Sequence, residues 1–168
     1  MKKKAILFDL DNTLFPFFNT KGYAKFNVKN FAKIAKLTVQ KIKKSKCKVG
    51  IVSNCNLHEA LEKINILGIN KFIDVIITPE NIYDKKPMRK MFFGAIKELN
   101  VKPSQILFVG DHLIYDVWSA KSCGVKTVLI KEKLKLYHKL IFKFKSILRP
   151  DFVVNDLRDV LKILKSSQ

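Results

Sequence analysis

The sequence has few cysteines and no long apolar run. Its three cysteines are Cys47, Cys55 and Cys123, and no two of them form a Cys-x-x-Cys pair. This argues against a disulfide framework or a zinc site and indicates a reducing compartment. No apolar stretch approaches the length of a membrane span. The N-terminus is basic, but Asp9 and Asp11 interrupt the apolar run that follows it too early for a signal peptide. We therefore expect a cytoplasmic protein.

Acidic residues and arginine are also scarce. Asp and Glu number 14 against 33 for Lys and Arg, so the formal net charge is +19, and Arg89, Arg149 and Arg158 are the only arginines. Such a charge attracts anions, nucleic acid or an acidic membrane surface. Because base reading and bidentate phosphate binding favour arginine over lysine, we expect no sequence-specific nucleic-acid recognition. A compositionally biased genome would produce the same lysine content, so the charge has either a functional or a compositional origin.

The chain alternates buried apolar runs with amphipathic segments. At 168 residues and 48% hydrophobic content, it is long enough for one domain with a substantial core. The apolar runs predict strands over 5–8, 48–52, 72–77, 106–109, 125–130 and 152–154. Apolar residues at helical spacing predict helices over 28–44, 57–67, 88–99, 114–123 and 157–164. This alternation predicts an α/β fold in a single domain over 1–168, with a doubly wound, mostly parallel sheet and helices on both faces.

A pair of aspartates follows the first predicted strand. Asp9 and Asp11 come directly after the apolar run 5–8, at the end of a strand where open α/β sheets bind their ligands. Residues two apart on an extended chain share a face, so both carboxylates can enter one crevice. A cation between them, or a division into one nucleophile and one acid, would relieve their repulsion. The alternative is a polar turn without chemistry.

Three further polar segments follow later strands or loops in the same way. They are Ser53, the pair Lys86-Pro87, and Asp111 with Asp116 five residues beyond it. Each is a weak signal by itself. Taken in order with the segment 9–13, however, the set resembles the motifs of the haloacid dehalogenase-like (HAD) superfamily.

The resemblance implies a Mg²⁺-dependent phosphomonoesterase. Asp9 would be the nucleophile and form an aspartyl-phosphate. Asp9, the backbone carbonyl of Asp11, and Asp111 would hold Mg²⁺, which offsets the repulsion between a carboxylate and a phosphate ester. The Asp11 side chain would protonate the leaving oxygen and then take a proton from the attacking water; the superfamily's dehalogenases lack a carboxylate at this position. Thr13 and Asp116 would hold these groups in place.

The resemblance, which extends from about residue 4 to residue 130, also implies how the phosphoryl group is bound. Ser53 and Lys86 would bind the transferring oxygens, and Lys86 would neutralise charge on the nucleophile. Asn54 would add a backbone donor. Lys85 is the alternative to Lys86 as the phosphoryl-binding lysine, but the superfamily's lysine directly precedes the proline.

The intervals between these motifs leave no room for a cap domain of the kind that many superfamily members insert. Residues 15–27 are interpreted as a flap beside the site. We therefore expect an open site, suited to a large substrate or to closure by a second subunit in a homodimer. The sequence resembles both capless Mg²⁺-dependent phosphatases linked to phosphotyrosine and sugar phosphates and capless phosphatidylglycerophosphate phosphatases, and it does not choose between their substrates.

Residues 131–148 combine an apolar helical face with many lysines. They predict a basic amphipathic helix, which either lies on an anionic membrane surface, making the protein peripheral to the membrane, or packs on the domain as an insertion. This leaves an alternative function: a basic HAD-fold protein that acts at anionic membrane or nucleic acid, including a phospholipid-headgroup phosphatase.

Overall fold

A parallel sheet forms the centre of the protein. The computed structural model describes residues 2–16, 28–130 and 149–166. The strands are β1 (Ala5–Phe8), β2 (Lys48–Val52), β3 (Val75–Ile77), β4 (Ile106–Gly110), β5 (Lys126–Ile130) and β6 (Phe152–Val154). All pairs are parallel, in the order β3-β2-β1-β4-β5-β6. The strand order reverses direction between β1 and β4, and in such sheets ligands bind outside the carboxyl ends of the strands at that point.

Helices cover both faces of this sheet. They are α1 (Val28–Lys44), α2 (Leu57–Ile66), α3 (Pro79–Ile82), α4 (Lys90–Leu99), α5 (Ser119–Lys121) and α6 (Val160–Ser166), with a π-helical segment (Leu113–Trp118) and 3-10 turns (Asn70–Phe72, Pro103–Gln105 and Leu157–Asp159). Alternate residues of β1 point to opposite faces: Ile6 and Phe8 join the core under α1, α2 and α6, whereas Ala5 and Leu7 join the core under α4 and α5. The predicted doubly wound α/β class is confirmed.

The third strand is shorter than the sequence predicts. The prediction covers 72–77, but the chain first makes the turn Asn70–Phe72, which the bond from Ile73 N to Asn70 O closes at 3.2 Å. Pairing with β2 begins only at Asp74, whose backbone N donates to Val49 O at 2.7 Å and whose carboxylate accepts from Val49 N. Phe72 and Ile73 are apolar because they pack against the core, so the strand predicted from the apolar run is too long at its start.

Two predicted helices also differ from the structure. The helix predicted over 88–99 begins at Lys90, after a turn in which Met88 N donates to Lys85 O. The helix predicted over 114–123 is π-helical from Leu113 to Trp118 and α-helical only in α5. Its first turn is wide because the backbone N–H groups of Asp116 and Val117 both donate to the carbonyl of His112, and apolar periodicity does not distinguish such a turn from an α-helix.

Two predicted features lie beyond what the structure describes. Of the flap over 15–27, only Phe15 and Pro16 fall within the described residues, and the helix predicted over 131–148 lies entirely outside them. Within the described part of the chain, no helix has the length and apolar character needed to cross a membrane.

Candidate active site

Three aspartates meet at the carboxyl ends of β1 and β4. Asp9 follows β1, and its backbone N donates to Val109 O of β4 at 2.9 Å. Asp111 follows β4, and Asp116 lies in the π-helical segment beyond it. One carboxylate oxygen from each of the three lies within 4.8 Å of the others. The fold therefore brings together residues of the first and last predicted motifs.

Lys86 is the cation of this cluster. Its Nζ lies 2.6 Å from Asp9 Oδ1 and 2.6 Å from Asp116 Oδ1, and its side chain is only 3% exposed. Burial alone would lower the pKa of Lys86, but the two carboxylates outweigh burial and raise it. Lys86 is thus a permanent positive charge between the two aspartates.

The side chain of Asn54 fixes the backbone of Lys86. Asn54 Oδ1 accepts from Lys86 N at 2.7 Å, and Asn54 Nδ2 donates to Lys86 O at 3.0 Å. This reciprocal pair joins the end of β2 to the lysine loop. Lys85, the rival in the sequence, is exposed, whereas Lys86 is buried.

The cluster holds more negative charge than Lys86 neutralises. Burial and the nearby Asp116 raise the pKa of Asp9 to about 7, although Lys86 acts to lower it. Burial and Asp116 likewise raise the pKa of Asp111 to about 7. Both shifts have the same physical meaning: the pocket disfavours ionised carboxylates that have no further counter-charge.

Asp116 holds the loop after β4. Its Oδ2 accepts from the backbone N–H groups of Asp111 at 3.1 Å and His112 at 3.0 Å, while Oδ1 accepts from Lys86. Gly110 allows this close approach, because a Cβ there would lie 2.5 Å from the Asp116 carboxylate carbon. Both Asp116 oxygens are therefore already occupied by protein donors.

Two residues of the first loop orient the carboxylates. Thr13 Oγ1 donates to Asp9 Oδ2 at 3.3 Å. The side chain of Asn12 hydrogen-bonds to Asp111, and Asn12 adopts a left-handed backbone conformation with φ 58°, which asparagine tolerates better than most residues. Thr13 was assigned a supporting role from the resemblance, whereas the role of Asn12 was not predicted.

Asp11 lies beside the cluster rather than within it. Its Oδ1 is 2.7 Å from the Nζ of Lys63 on α2. Burial acts to lower the pKa of Lys63, but the hydrogen bond and charge of Asp11 outweigh burial and raise it. No local sequence signal singles out Lys63, because its partner is 52 positions away.

Ser53 ends β2 and is almost fully buried. Its backbone N donates to Ile77 O at 3.1 Å. Its Oγ contacts Cys55, donating to Sγ at 3.2 Å and accepting from the backbone N at 3.4 Å. The hydroxyl thus stands at the sheet edge predicted for it, with Cys55 as its described partner.

Comparison with known proteins identifies the family of this chain. Residues 15–130 match the sequence profile described as haloacid dehalogenase-like hydrolase. The chain belongs to the haloacid dehalogenase-like hydrolase family. It is 33% identical over 131 residues to a glyceraldehyde 3-phosphate phosphatase of Pyrococcus furiosus, covering 78% of this chain and 53% of that protein. It is 30% identical over 127 residues to the pyrophosphatase PpaX of Bacillus mycoides, covering 76% and 56%.

The chain spans about half the length of these curated relatives. A solved structure, a HAD phosphatase from Thermococcus onnurineus, superposes with a TM-score of 0.75 at 21% identity, over 98% of each chain. At this level of identity, the superposition shows a shared fold alone.

The donor set of this HAD site suits a hard divalent cation. Its ligands are oxygens, which Mg²⁺ prefers. Asp111 makes no ion pair with any lysine or arginine that the structure describes, and Asp9 shares Lys86 with Asp116. Asp116 Oδ2 accepts from two backbone N–H groups, whereas Asp9 Oδ2 accepts the longer, 3.3 Å hydrogen bond of Thr13. Asp9 and Asp111 are therefore better placed than Asp116 to ligate a cation. Burial, followed by the charge of Asp116, raises the pKa of both groups, so a cation bound beside them would stabilise their ionised forms.

Proposed function

We propose that the protein is a Mg²⁺-dependent phosphomonoesterase that acts through an aspartyl-phosphate on Asp9. The observation that supports this most strongly is the environment of the Asp9 carboxylate. It is fixed by Lys86 on one oxygen and by Thr13 on the other, and it lies beside a second carboxylate, Asp111, whose pKa burial raises to about 7 although Lys86 acts to lower it. A carboxylate held in this way is oriented for attack on phosphorus.

The reaction divides into two displacements. In the first, an Asp9 oxygen forms a bond to phosphorus while the ester P–O bond breaks, and Asp11 gives its proton to the leaving oxygen. In the second, Asp11 takes a proton from water as the water oxygen attacks the phosphorus and Asp9 is released. Lys86 and Ser53 would bind the phosphoryl oxygens, and the Lys86 ammonium would offset the charge that builds up on them.

Asp9, the backbone carbonyl of Asp11, and Asp111 would hold the Mg²⁺. When bound, the cation supplies positive charge that lets an anionic nucleophile approach an anionic ester. Asp116, Asn12 and Thr13 would act as positioning residues, because each contacts a ligand or its loop directly.

The names of the relatives support a phosphate compound as substrate. One relative is named for a phosphate ester of a neutral alcohol, glyceraldehyde 3-phosphate, and the other for pyrophosphate, an anhydride. Both reactions break a P–O bond at a phosphoryl group, which is what the Asp9 site is arranged to do.

We also propose that the site is open. Between Asp11 and Ser53 the described chain adds α1 and β2, and between Ser53 and Lys86 it adds α2, the turn Asn70–Phe72, β3 and α3. Neither interval accommodates a cap of about fifty residues. These short intervals support a single uncapped domain, which a second copy of the chain would close where the substrate is small.

We propose a cytoplasmic location because of the free cysteines.

The alternative is a protein that acts at anionic membrane or nucleic acid, and the net charge of +19 supports it. Binding to anionic vesicles and to single-stranded DNA, measured across a salt series, tests this alternative. Negligible binding near physiological salt would exclude it.

The experiment for the enzyme is phosphate release from a substrate panel. An aryl phosphate, sugar phosphates, nucleotides, a phosphotyrosine peptide, pyrophosphate and a phospholipid headgroup would be assayed with Mg²⁺ and with chelator. We expect release that requires Mg²⁺ and is lost in Asp9→Asn. Asp159→Asn, which removes a surface carboxylate paired with Lys162, is the matched control and should retain activity. Activity retained by Asp9→Asn would refute the proposal.

A further inference from the structure

Lys63 is the second lysine at the candidate active site. It reaches from α2 to Asp11, with Nζ 2.7 Å from Oδ1. The two site lysines differ in accessibility: the Lys86 side chain is 3% exposed and already shared by two carboxylates, whereas that of Lys63 is 19% exposed. Lys63 is therefore the more accessible of the two site lysines.

The position of Lys63 is set by its partner. In the proposed mechanism, Asp11 gives its proton to the leaving oxygen, so the leaving group must lie against Asp11. The Lys63 ammonium, within hydrogen-bond distance of Asp11, then lies beside the leaving group. The two lysines thus contact different carboxylates, Lys86 the nucleophile Asp9 and Lys63 the acid Asp11.

The donor count leaves Lys63 capacity for a ligand. An ammonium has three N–H donors. Among the residues that the structure describes, Asp11 is the one carboxylate within ion-pair distance of Lys63. A second anion approaching from the open side would bind to the remaining donors without breaking the contact with Asp11.

Charge balance indicates why such a cation is useful. When Asp11 carries the proton that it donates, Asp9, Asp111 and Asp116 bring three negative charges, and Lys86, Lys63 and a divalent cation would together bring four positive charges. A phosphate compound with a further negative charge on its leaving group adds repulsion on the Asp11 side. Lys63 is the positive charge on that side. Its contribution to the binding of an anionic leaving group is large because the site is partly shielded from water.

We propose that Lys63 binds a second negative charge on the leaving group, so that the preferred substrates are phosphate compounds whose leaving group is itself anionic. This rests on the proposed phosphatase function and adds a substrate class to it. Pyrophosphate and phosphorylated hydroxy acids belong to this class, whereas phosphate esters of uncharged alcohols do not.

The test compares two substrates that differ by one charge. Phosphoglycerate and glycerol phosphate share a carbon skeleton, and phosphoglycerate alone carries a carboxylate. For wild type, we expect kcat/KM to favour phosphoglycerate. Lys63→Met should reduce that preference by about 10- to 100-fold, the usual value of a charge-assisted hydrogen bond, mainly through KM. Lys63→Arg should keep most of the preference.

The ratio of the two substrates separates recognition from any effect on Asp11. Loss of Lys63 also changes the surroundings of Asp11, but that change acts on both substrates alike and cancels in the ratio. Lys43→Met is the matched control, because Lys43 makes a 2.7 Å ion pair with Asp74 outside the site. It should leave the ratio unchanged.

A binding measurement keeps the inference testable without turnover. Phosphoglycerate and glycerol phosphate would be titrated into Asp9→Asn with Mg²⁺, with and without Lys63→Met, and followed by calorimetry. We expect Lys63→Met to weaken phosphoglycerate binding selectively, and more strongly at low salt. Equal effects on both ligands would overturn the inference while leaving the phosphatase proposal standing. Absence of turnover of every phosphate by wild type would instead refute the phosphatase proposal, and the inference with it.

Discussion

Replacing Lys86 with methionine removes the ammonium that two buried carboxylates share. Asp9 and Asp116 each lie 2.6 Å from Nζ, and all three side chains are at most 9% exposed. Removing one partner of a buried ion pair leaves uncompensated charge and costs about 3–5 kcal/mol. Typical domains have a total unfolding free energy of about 5–15 kcal/mol, so we expect a large loss of stability.

The assay is urea-induced unfolding, followed by circular dichroism, in chelator so that bound metal does not add to stability. Lys43→Met serves as the control, because its ion pair with Asp74 is about one-third exposed and such pairs contribute about 0.2–1 kcal/mol. The loss of unfolding free energy in Lys86→Met should also become smaller at low pH. Lys86 lowers the pKa of Asp9, so without it the carboxylate protonates more readily and loses its buried charge. A Lys86→Met protein no less stable than Lys43→Met would refute the buried-charge account.

Three further predictions follow from particular contacts. Gly110→Ala places a Cβ 2.5 Å from the Asp116 carboxylate carbon, so thermal and urea unfolding should show a loss of about 1–3 kcal/mol, together with lost phosphatase activity. Thr38→Val should raise unfolding free energy by about 1 kcal/mol, because the buried Thr38 hydroxyl has no hydrogen-bond partner among the described residues; an unchanged or lower value would contradict this. In chelator, stability should fall as pH rises from about 4 to about 7, since burial raises the pKa of Asp9 and that of Asp111 from 3.8 to about 7 on folding. The folded state therefore binds more protons than the unfolded state between those values. Mg²⁺ should restore stability at the upper end, and a flat metal-free profile would show that the carboxylates are not perturbed.

Much of the fold follows from the apolar pattern. The strand predicted over 5–8 and the helix predicted over 28–44 match the structure at both ends. A short continuous apolar run indicates a buried strand, and a long apolar stripe at helical spacing indicates a helix. Gly68, just after α2, adopts φ +61°, a backbone conformation that glycine accepts readily. The start of β3 was wrong because apolar residues also pack in turns, and the π-helical segment depends on a shared carbonyl at His112 that no residue spacing encodes.

The sequence likewise predicts some features of the candidate site and not others. The residue types that carry charge at strand ends, Asp9, Lys86 and Asp111, are visible in the sequence and in its resemblance to HAD proteins. Contacts that join distant segments are not. The ion pair of Lys63 with Asp11 spans 52 positions, and the amide pair of Asn54 with the Lys86 backbone spans 32. Such pairings depend on where strands and helices finally pack, which requires the three-dimensional structure.

The central claim is that Asp9 carries the phosphoryl group. Its most direct test is chemical trapping of the acyl phosphate during turnover of the best panel substrate with Mg²⁺. Borohydride reduces an acyl phosphate to the alcohol, so the peptide that contains Asp9 should show the mass of homoserine at that position. The signal should vanish in chelator. Reduction at a different carboxylate, or none at any carboxylate while phosphate is released, would contradict the account.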